Sequence, residues 1–284
     1  MINSESFSKK WIESFRKQKQ HEKIDPGHLE KMIHALALVE YLSLEGFDFV
    51  FKGGTCLVLI MNAASRFSID VDITTNISKE LLEKHLDNIV TKSHFIKWEI
   101  DAERSFNNNI PKAHYYFSFN SNYAKEATYI LLDVIFDVDP YCETKKVKIE
   151  SRWIRTEESI QTVKAPSVDA ILGDKLTAFA PNTIGVPYNK NKDIEIIKQL
   201  FDVYHLIEQV SILEDVLKNF EIISNKQITY QGKEINQQQV LKDIIETAML
   251  LARREKNKGN DKIKFDELQG GIKKFKNQFN DREF

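Results

Sequence analysis

Residues 52–72 read KGGTCLVLIMNAASRFSIDVD. Two adjacent glycines, Gly53 and Gly54, fall together in a chain that holds only ten. They follow an apolar run at 47–52 that reads as a short strand. They precede a run at 55–63 that reads as a helix. Glycine at such a turn lets the backbone bend sharply and leaves room for another group to approach closely. The first N–H groups of the following helix lack partners in their own backbone and sit at the positive end of its dipole, so the turn is a candidate anion seat. Thr55 offers a hydroxyl donor beside it. Gly-Gly-Thr alone is weak evidence, because turns use glycine for many reasons.

The end of the stretch adds to it. In SIDVDIT, residues 68–74, a β-like alternation puts Asp70 and Asp72 on one side and Ile69, Val71 and Ile73 on the other. Two carboxylates side by side on a buried strand repel each other unless something positive sits between them. A divalent ion is the simplest such partner, and hard oxygen ligands favour Mg²⁺. The competing reading is a solvent-facing edge strand carrying two surface aspartates. A third carboxylate, Asp133, interrupts the apolar run YILLDVIF at 129–136, whose flanks suit a central strand covered on both faces. Three carboxylates on neighbouring strands can hold two ions roughly 3.5–4 Å apart, the arrangement used for in-line displacement at phosphorus. Asp137 and Asp139, toward the end of that run, read as ordinary exposed residues.

The 284 residues suit two domains, or one with a helical extension. Apolar residues make up 42 %, enough for a core, and no stretch approaches the ~18 apolar residues of a membrane span. Cys56 and Cys142 form no CxxC, the seven histidines show no HxxxH spacing, and the first residues lack the apolar segment of a signal peptide. These features predict a reduced, cytoplasmic protein without a zinc site. Net charge is −2, but its distribution is uneven. Residues 253–276 hold nine basic and four acidic side chains, and residues 9–23 hold six and two. Each run is either a solvated helix face or a surface for a polyanion.

The periodicity predicts an α+β protein. An aromatic stripe (Phe7, Trp11, Phe15) marks a first helix, and Asp25-Pro26 starts a second. Helical spacing recurs at 79–91. Strand-like runs follow at 95–100, 114–119, 129–138 and 146–154, and 163–166 breaks the pattern. From 168 onward the chain reads as helices at 168–179, 193–209, 213–220, 237–253 and 265–279. The expected division is N-terminal helices at 1–45, an α/β domain at 46–165 and a helical bundle at 166–284.

With these segments in order, the chain resembles the polymerase-β-type nucleotidyltransferase superfamily: a strand ending in Gly-Gly-Thr, a helix, a strand with Asp-x-Asp, and a distant third Asp. RFSIDVDI at 66–73 is closer to one branch, the AbiEii/AbiGii toxin nucleotidyltransferases, and so are GDKLTAFA at 173–180 and KQLFDVYHL at 198–206. The resemblance spans about residues 47–210. It implies a mixed β-sheet, use of an NTP and Mg²⁺, and a toxin paired with an antitoxin. It implies roles for residues as well. Gly53, Gly54 and Thr55 bind the triphosphate, Asp70, Asp72 and Asp133 hold two ions, and Lys175 meets the β- and γ-phosphates. Asp202 takes the acidic position of the last matching helix, with Asp193 as its rival. Arg66, Ser68 and Lys198 are further expected nucleotide contacts. As plain structural residues, Lys175 is a snorkelling surface lysine, and Lys198 is a helix-surface partner of Asp202 at i, i+4. Arg66, beside Ser68, either touches phosphate or fixes the Asp-bearing strand. Lys52 reaches either phosphate or solvent, and His205 reads as a core histidine. The expected acceptor is an RNA 3′ end. The alternatives are a protein or small-molecule hydroxyl, or a non-catalytic module that binds nucleotide or antitoxin.

Overall fold

The computed structural model describes residues 1–18, 24–61, 66–105 and 110–278. The expected ends of two helices, at 62–63 and 279, and part of the first basic run, at 19–23, lie outside them. The chain divides into two compact units. The first comprises Met1–Asp139 and Thr144–Pro166, and the second Pro140–Glu143 and Ser167–Phe279.

The first unit opens with a short 3₁₀ turn and helix α1 (Lys9–Arg16), capped by the Ser8 hydroxyl. Helix α2 (Pro26–Leu44) starts where the sequence predicts: Asp25 accepts from the His28 N–H and proline takes the first turn. Leu29, Met32, Ile33, Leu36, Leu38, Val39 and Leu42 are all fully buried, so α2 is covered nearly all round and acts as a core rod. Strand β1 (Val50–Lys52) leads directly into α3 (Gly53–Ile60), and β2 (Val71–Thr75) follows. Helix α4 (Lys79–Lys92) turns Leu82, Leu86 and Ile89 inward and leaves Leu81 half-exposed. Then come β3 (Lys97–Ile100), the single turn α5 (Ala102–Ser105), β4 (Lys112–Phe119) and β5 (Thr128–Phe136).

These strands form one mixed sheet in the order β1-β2-β5-β4-β3. Only β2 and β5 run parallel. Both are interior strands, so β2 is not the solvent-facing edge that the competing reading of Asp70 and Asp72 requires. Val71 and Ile73 are fully buried as the alternation predicts. The strand begins one residue after Asp70, which is exposed.

One expectation needs correction. Residues 163–166 do not break the strand pattern but form the core of β7 (Thr162–Pro166), antiparallel to β6 (Thr144–Lys148). The expected strand at 146–154 stops at Lys148, and the residues beyond it are turns. Val163 and Ala165 are buried on one side of β7, and Pro166 ends it where an N–H is no longer needed.

The second unit is helical: α6 (Val168–Ala178), α7 (Asp193–Ile207), α8 (Leu213–Gln231), α9 (Gln237–Arg253) and α10 (Asn260–Gln278). Helix α8 runs well past the predicted end at 220 and stops at Gly232, whose left-handed backbone suits a helix terminus. Two close approaches set the packing. A Cβ on Gly173 would lie 2.7 Å from backbone atoms of α8, and one on Gly271 would lie 2.6 Å from the Asp193 carbonyl. Asp243 is buried and accepts from the backbone N–H groups of Asn182 and Thr183, fixing the loop after α6.

Candidate active site

The turn between β1 and α3 is built around glycine for two separate reasons. Gly53 has φ of +76°, which L side chains rarely adopt, and a Cβ there would lie 2.0 Å from Asp72 Oδ2. The missing side chain therefore gives space to a carboxylate of the next strand. At Gly54 a Cβ would meet Ser68 Oγ at 2.7 Å and Arg66 Nη2 at 2.8 Å. Arg66 and Ser68 thus lie against the glycine turn, and Arg66 is buried. Lys52, the N-cap of α3, makes no side-chain capping bond. Thr55 is fully buried, and its hydroxyl donates to the Asp70 carbonyl at 2.5 Å. Its one O–H proton thus pins the entry of β2 instead of standing open to an anion.

Strand register brings the other residues into line. Lys52 is opposite Asp72, Asp72 is opposite Asp133, and Asp133 is opposite His114. Register partners on adjacent strands present their side chains to the same face. A single row therefore crosses four strands as ammonium, carboxylate, carboxylate and imidazole. The next row along, Phe51, Ile73, Val134 and Ala113, faces the opposite way and is buried throughout. The polar row exists because one residue in each of four apolar strands breaks the pattern at the same level.

Asp133 has protein partners. His114 Nδ1 lies 2.6 Å from its Oδ1, and Arg104 Nη2 lies 3.6 Å from its Oδ2. Arg104 also approaches Asp101, which accepts from the Tyr116 hydroxyl and is held below the usual carboxylate range chiefly by that bond. His114 is buried, and its Nε2 has no hydrogen-bond partner. Neither His114 nor Arg104 was singled out in the sequence. A histidine at the centre of a β-run reads as a core residue, and only the strand register places it against Asp133.

The oxygen donors of Asp70, Asp72 and Asp133 suit a hard cation, and Asp72 and Asp133 are neighbours on one face. They are not drawn into a cage: among the described residues no three His, Cys, Asp or Glu side chains are grouped closely enough to hold an ion.

In the helical unit, Lys175 and Asp202 are joined. Lys175 Nζ lies 2.8 Å from Asp202 Oδ2 and donates to Gln199 Oε1 at 3.2 Å. Both side chains are buried, at 9 % and 1 % exposure, so Lys175 is not a snorkelling surface lysine. Asp202 takes Lys175 as a partner, and Lys198 approaches Glu195 at 3.9 Å. Asp193 pairs instead with Lys274 of α10, at 2.7 Å. His205 packs edge-on against Phe201 at 4.4 Å, in keeping with a packing role.

A glycine turn lies against an Asp-bearing interior strand of a mixed sheet, the arrangement expected of a nucleotidyltransferase. The family model described as "Nucleotidyl transferase AbiEii toxin, Type IV TA system" matches residues 36–275, and the chain belongs to that family. It is thereby a nucleotidyltransferase toxin of a toxin–antitoxin system. No curated protein matches it. Among solved structures it is similar to an antigenic nucleotidyltransferase-like protein from Paracoccidioides brasiliensis, at 15 % identity over 78 % of this chain and 90 % of that one, with a TM-score of 0.49. It is also similar to JHP933 from Helicobacter pylori, at 16 % identity over 89 % and 98 %, with a TM-score of 0.44. Scores below 0.5 are too low to bear on the assignment, which the family match carries. No helix among the described residues is long and apolar enough to cross a membrane.

Proposed function

We propose that the chain transfers a nucleoside monophosphate from an NTP to the 3′ hydroxyl of an RNA, with Mg²⁺ as cofactor. The observation that supports this most is the polar row across the sheet, with Asp72 and Asp133 side by side beneath the Gly53–Gly54 turn. The open N–H groups at the start of α3 bind the triphosphate, and Arg66 and Lys52 add positive charge. Asp70 and Asp72 would hold the cation, with Asp133 as the third ligand. A divalent ion bound there offsets the charge of the triphosphate and eases ionisation of the attacking hydroxyl. His114 and Arg104 fix the Asp133 carboxylate so that its position does not drift between turnovers. Thr55 holds the backbone that presents Asp70. The acceptor oxygen forms a bond to the α-phosphorus, the bond from that phosphorus to the pyrophosphate oxygen breaks, and pyrophosphate leaves.

A cognate antitoxin and a cytoplasmic site of action are part of the same reading, since the family is a toxin–antitoxin family. The test is incubation with each labelled NTP, Mg²⁺ and total RNA, followed by a denaturing gel. Label should move to RNA with the wild-type chain and not with Asp72→Asn. Label on the protein itself, or on no macromolecule, would refute an RNA acceptor.

A further inference from the structure

We propose that a cleft between the last turn of α3 and strand β6 seats the phosphate backbone of the acceptor strand. This rests on the reading of the chain as a transferase acting on RNA. The cleft measures about 680 Å³ and lies wholly within the first unit. Its cations are Lys145, Lys146, Lys148 and Arg152, against one carboxylate, Glu150. Its floor is apolar: Leu59, Met61 and Trp153 line it and are buried. No carboxylate among the described residues pairs with Lys146, Lys148 or Arg152, and all three are exposed. Lys146 and Lys148 are i, i+2 on a strand, so they point to one side about 7 Å apart, the scale of neighbouring phosphates on one chain. The Arg152 guanidinium lies 4.5 Å from the Trp153 ring centroid. This is a cation–π contact, and arginine side chains are among the groups on which unstacked bases stack.

Position along α3 ties the cleft to the chemistry. The N-terminus of this helix is the triphosphate seat and its last turn is the cleft wall. Gly54 and the cleft residue Leu59 stand five positions apart, about 7.5 Å along the axis at 1.5 Å per residue. The cleft therefore adjoins the triphosphate seat, and Lys146, Lys148 and Arg152 suit the backbone phosphates of the nucleotides that precede an acceptor's terminal hydroxyl. The C-terminal end of a helix repels anions, so recognition falls to the lysines and Arg152.

The basic run at 253–276 is the weaker candidate, because much of its charge is used internally. Arg253 approaches Asp261, Lys262 pairs with Asp266, Lys264 donates to Asn182 and Lys274 pairs with Asp193.

The test is fluorescence anisotropy of a short labelled single-stranded RNA titrated with the full chain across a range of KCl. Lys146→Glu/Lys148→Glu should weaken binding at least tenfold at low salt. It should also flatten the slope of log K against log [salt] by about 1.4, from about 0.7 per lost phosphate contact in single strands. Binding of a fluorescent NTP should be unchanged, which also shows that the variant is folded. Lys273→Glu/Lys276→Glu should shift the slope by less. A variant with Lys146 and Lys148 reversed that binds RNA like wild type would overturn the cleft and leave the RNA reading standing. A wild-type chain that binds NTP but no RNA would overturn both.

Discussion

Replacing Lys175 by alanine tests the most buried charge in the helical unit. Asp202 is 1 % exposed and would lose its ammonium partner. Breaking a buried ion pair by removing one partner costs about 3–5 kcal/mol, because the remaining charge stays desolvated. At a urea dependence of about 2 kcal/mol per molar, a loss of about 4 kcal/mol lowers the midpoint by about 2 M. Far-UV circular dichroism should report this shift, since the second unit is helical. Tryptophan fluorescence provides a separate channel, because Trp11, Trp98 and Trp153 all lie in the first unit. Lys175→Met with Asp202→Leu should recover most of the stability, as apolar replacement of a buried pair is often neutral or stabilising. That double variant also separates two roles for Lys175. If it is stable but does not transfer nucleotide, the pair takes part in transfer, as the family resemblance implies for both residues. If it is stable and active, the pair is purely structural. A midpoint shift below about 0.5 M for Lys175→Ala would refute the reasoning, since water would then be reaching Asp202.

Four further outcomes follow from the same structure. Asp72→Asn should abolish transfer in a gel assay, while its melting temperature without metal holds or rises, because one of two adjacent carboxylates loses its charge. Gly53→Ala should lower transfer and cost about 1–3 kcal/mol in urea, since it meets both a positive φ and the Asp72 carboxylate; Gly46→Ala, with a similar φ and open space around it, should lose stability alone. His114→Ala should lower kcat more than it raises KM for NTP, because it frees Asp133 to rotate, and His114→Asn should recover part of the loss. Burial pushes the pKa of His34 well below its usual value, and that of His94 is pushed down to about 4. Below about pH 6.5 the unfolded chain takes up protons that these two refuse, so stability present at neutral pH should fall toward pH 4, and His34→Leu should flatten that decline in thermal melts.

The fold was legible where the pattern and the chemistry agreed. Asp25-Pro26 marks a helix start whose cap bond the structure contains, and the alternation at 69–73 correctly buries Val71 and Ile73. It was not legible where a short segment depends on a distant partner. TVKAP reads as a break because Pro166 and Lys164 are poor strand formers in isolation, yet pairing with Thr144–Lys148 makes it a strand. The candidate site divides in the same way. Gly53, Asp72 and Asp133 stand out because glycine and aspartate are conspicuous in apolar runs. His114 and Arg104 do not, because their meaning comes from strand register, which no local window contains. Thr55 stands out as a hydroxyl beside a glycine turn, and its bond to the Asp70 carbonyl could be seen only in the structure.

The rival aspartates of the second unit differ in the partners that the structure gives them. Asp193 and Asp202 lie on one helix, and a pattern of residue types alone fits either. Their partners differ in kind. Asp193 meets Lys274 of α10, at a point where Gly271 packs against its backbone, so it serves to join the two ends of the bundle. Asp202 meets Lys175, the lysine of the GDKL segment, through a bond sheltered from water. Two of the segments that resemble the toxin branch, at 173–180 and 198–206, are thus connected through their most distinctive charges. A surface pair would leave Asp202 tolerant of substitution. This pair makes each residue depend on the other, which is why the two segments are best read as one unit whose lysine is held at a defined place.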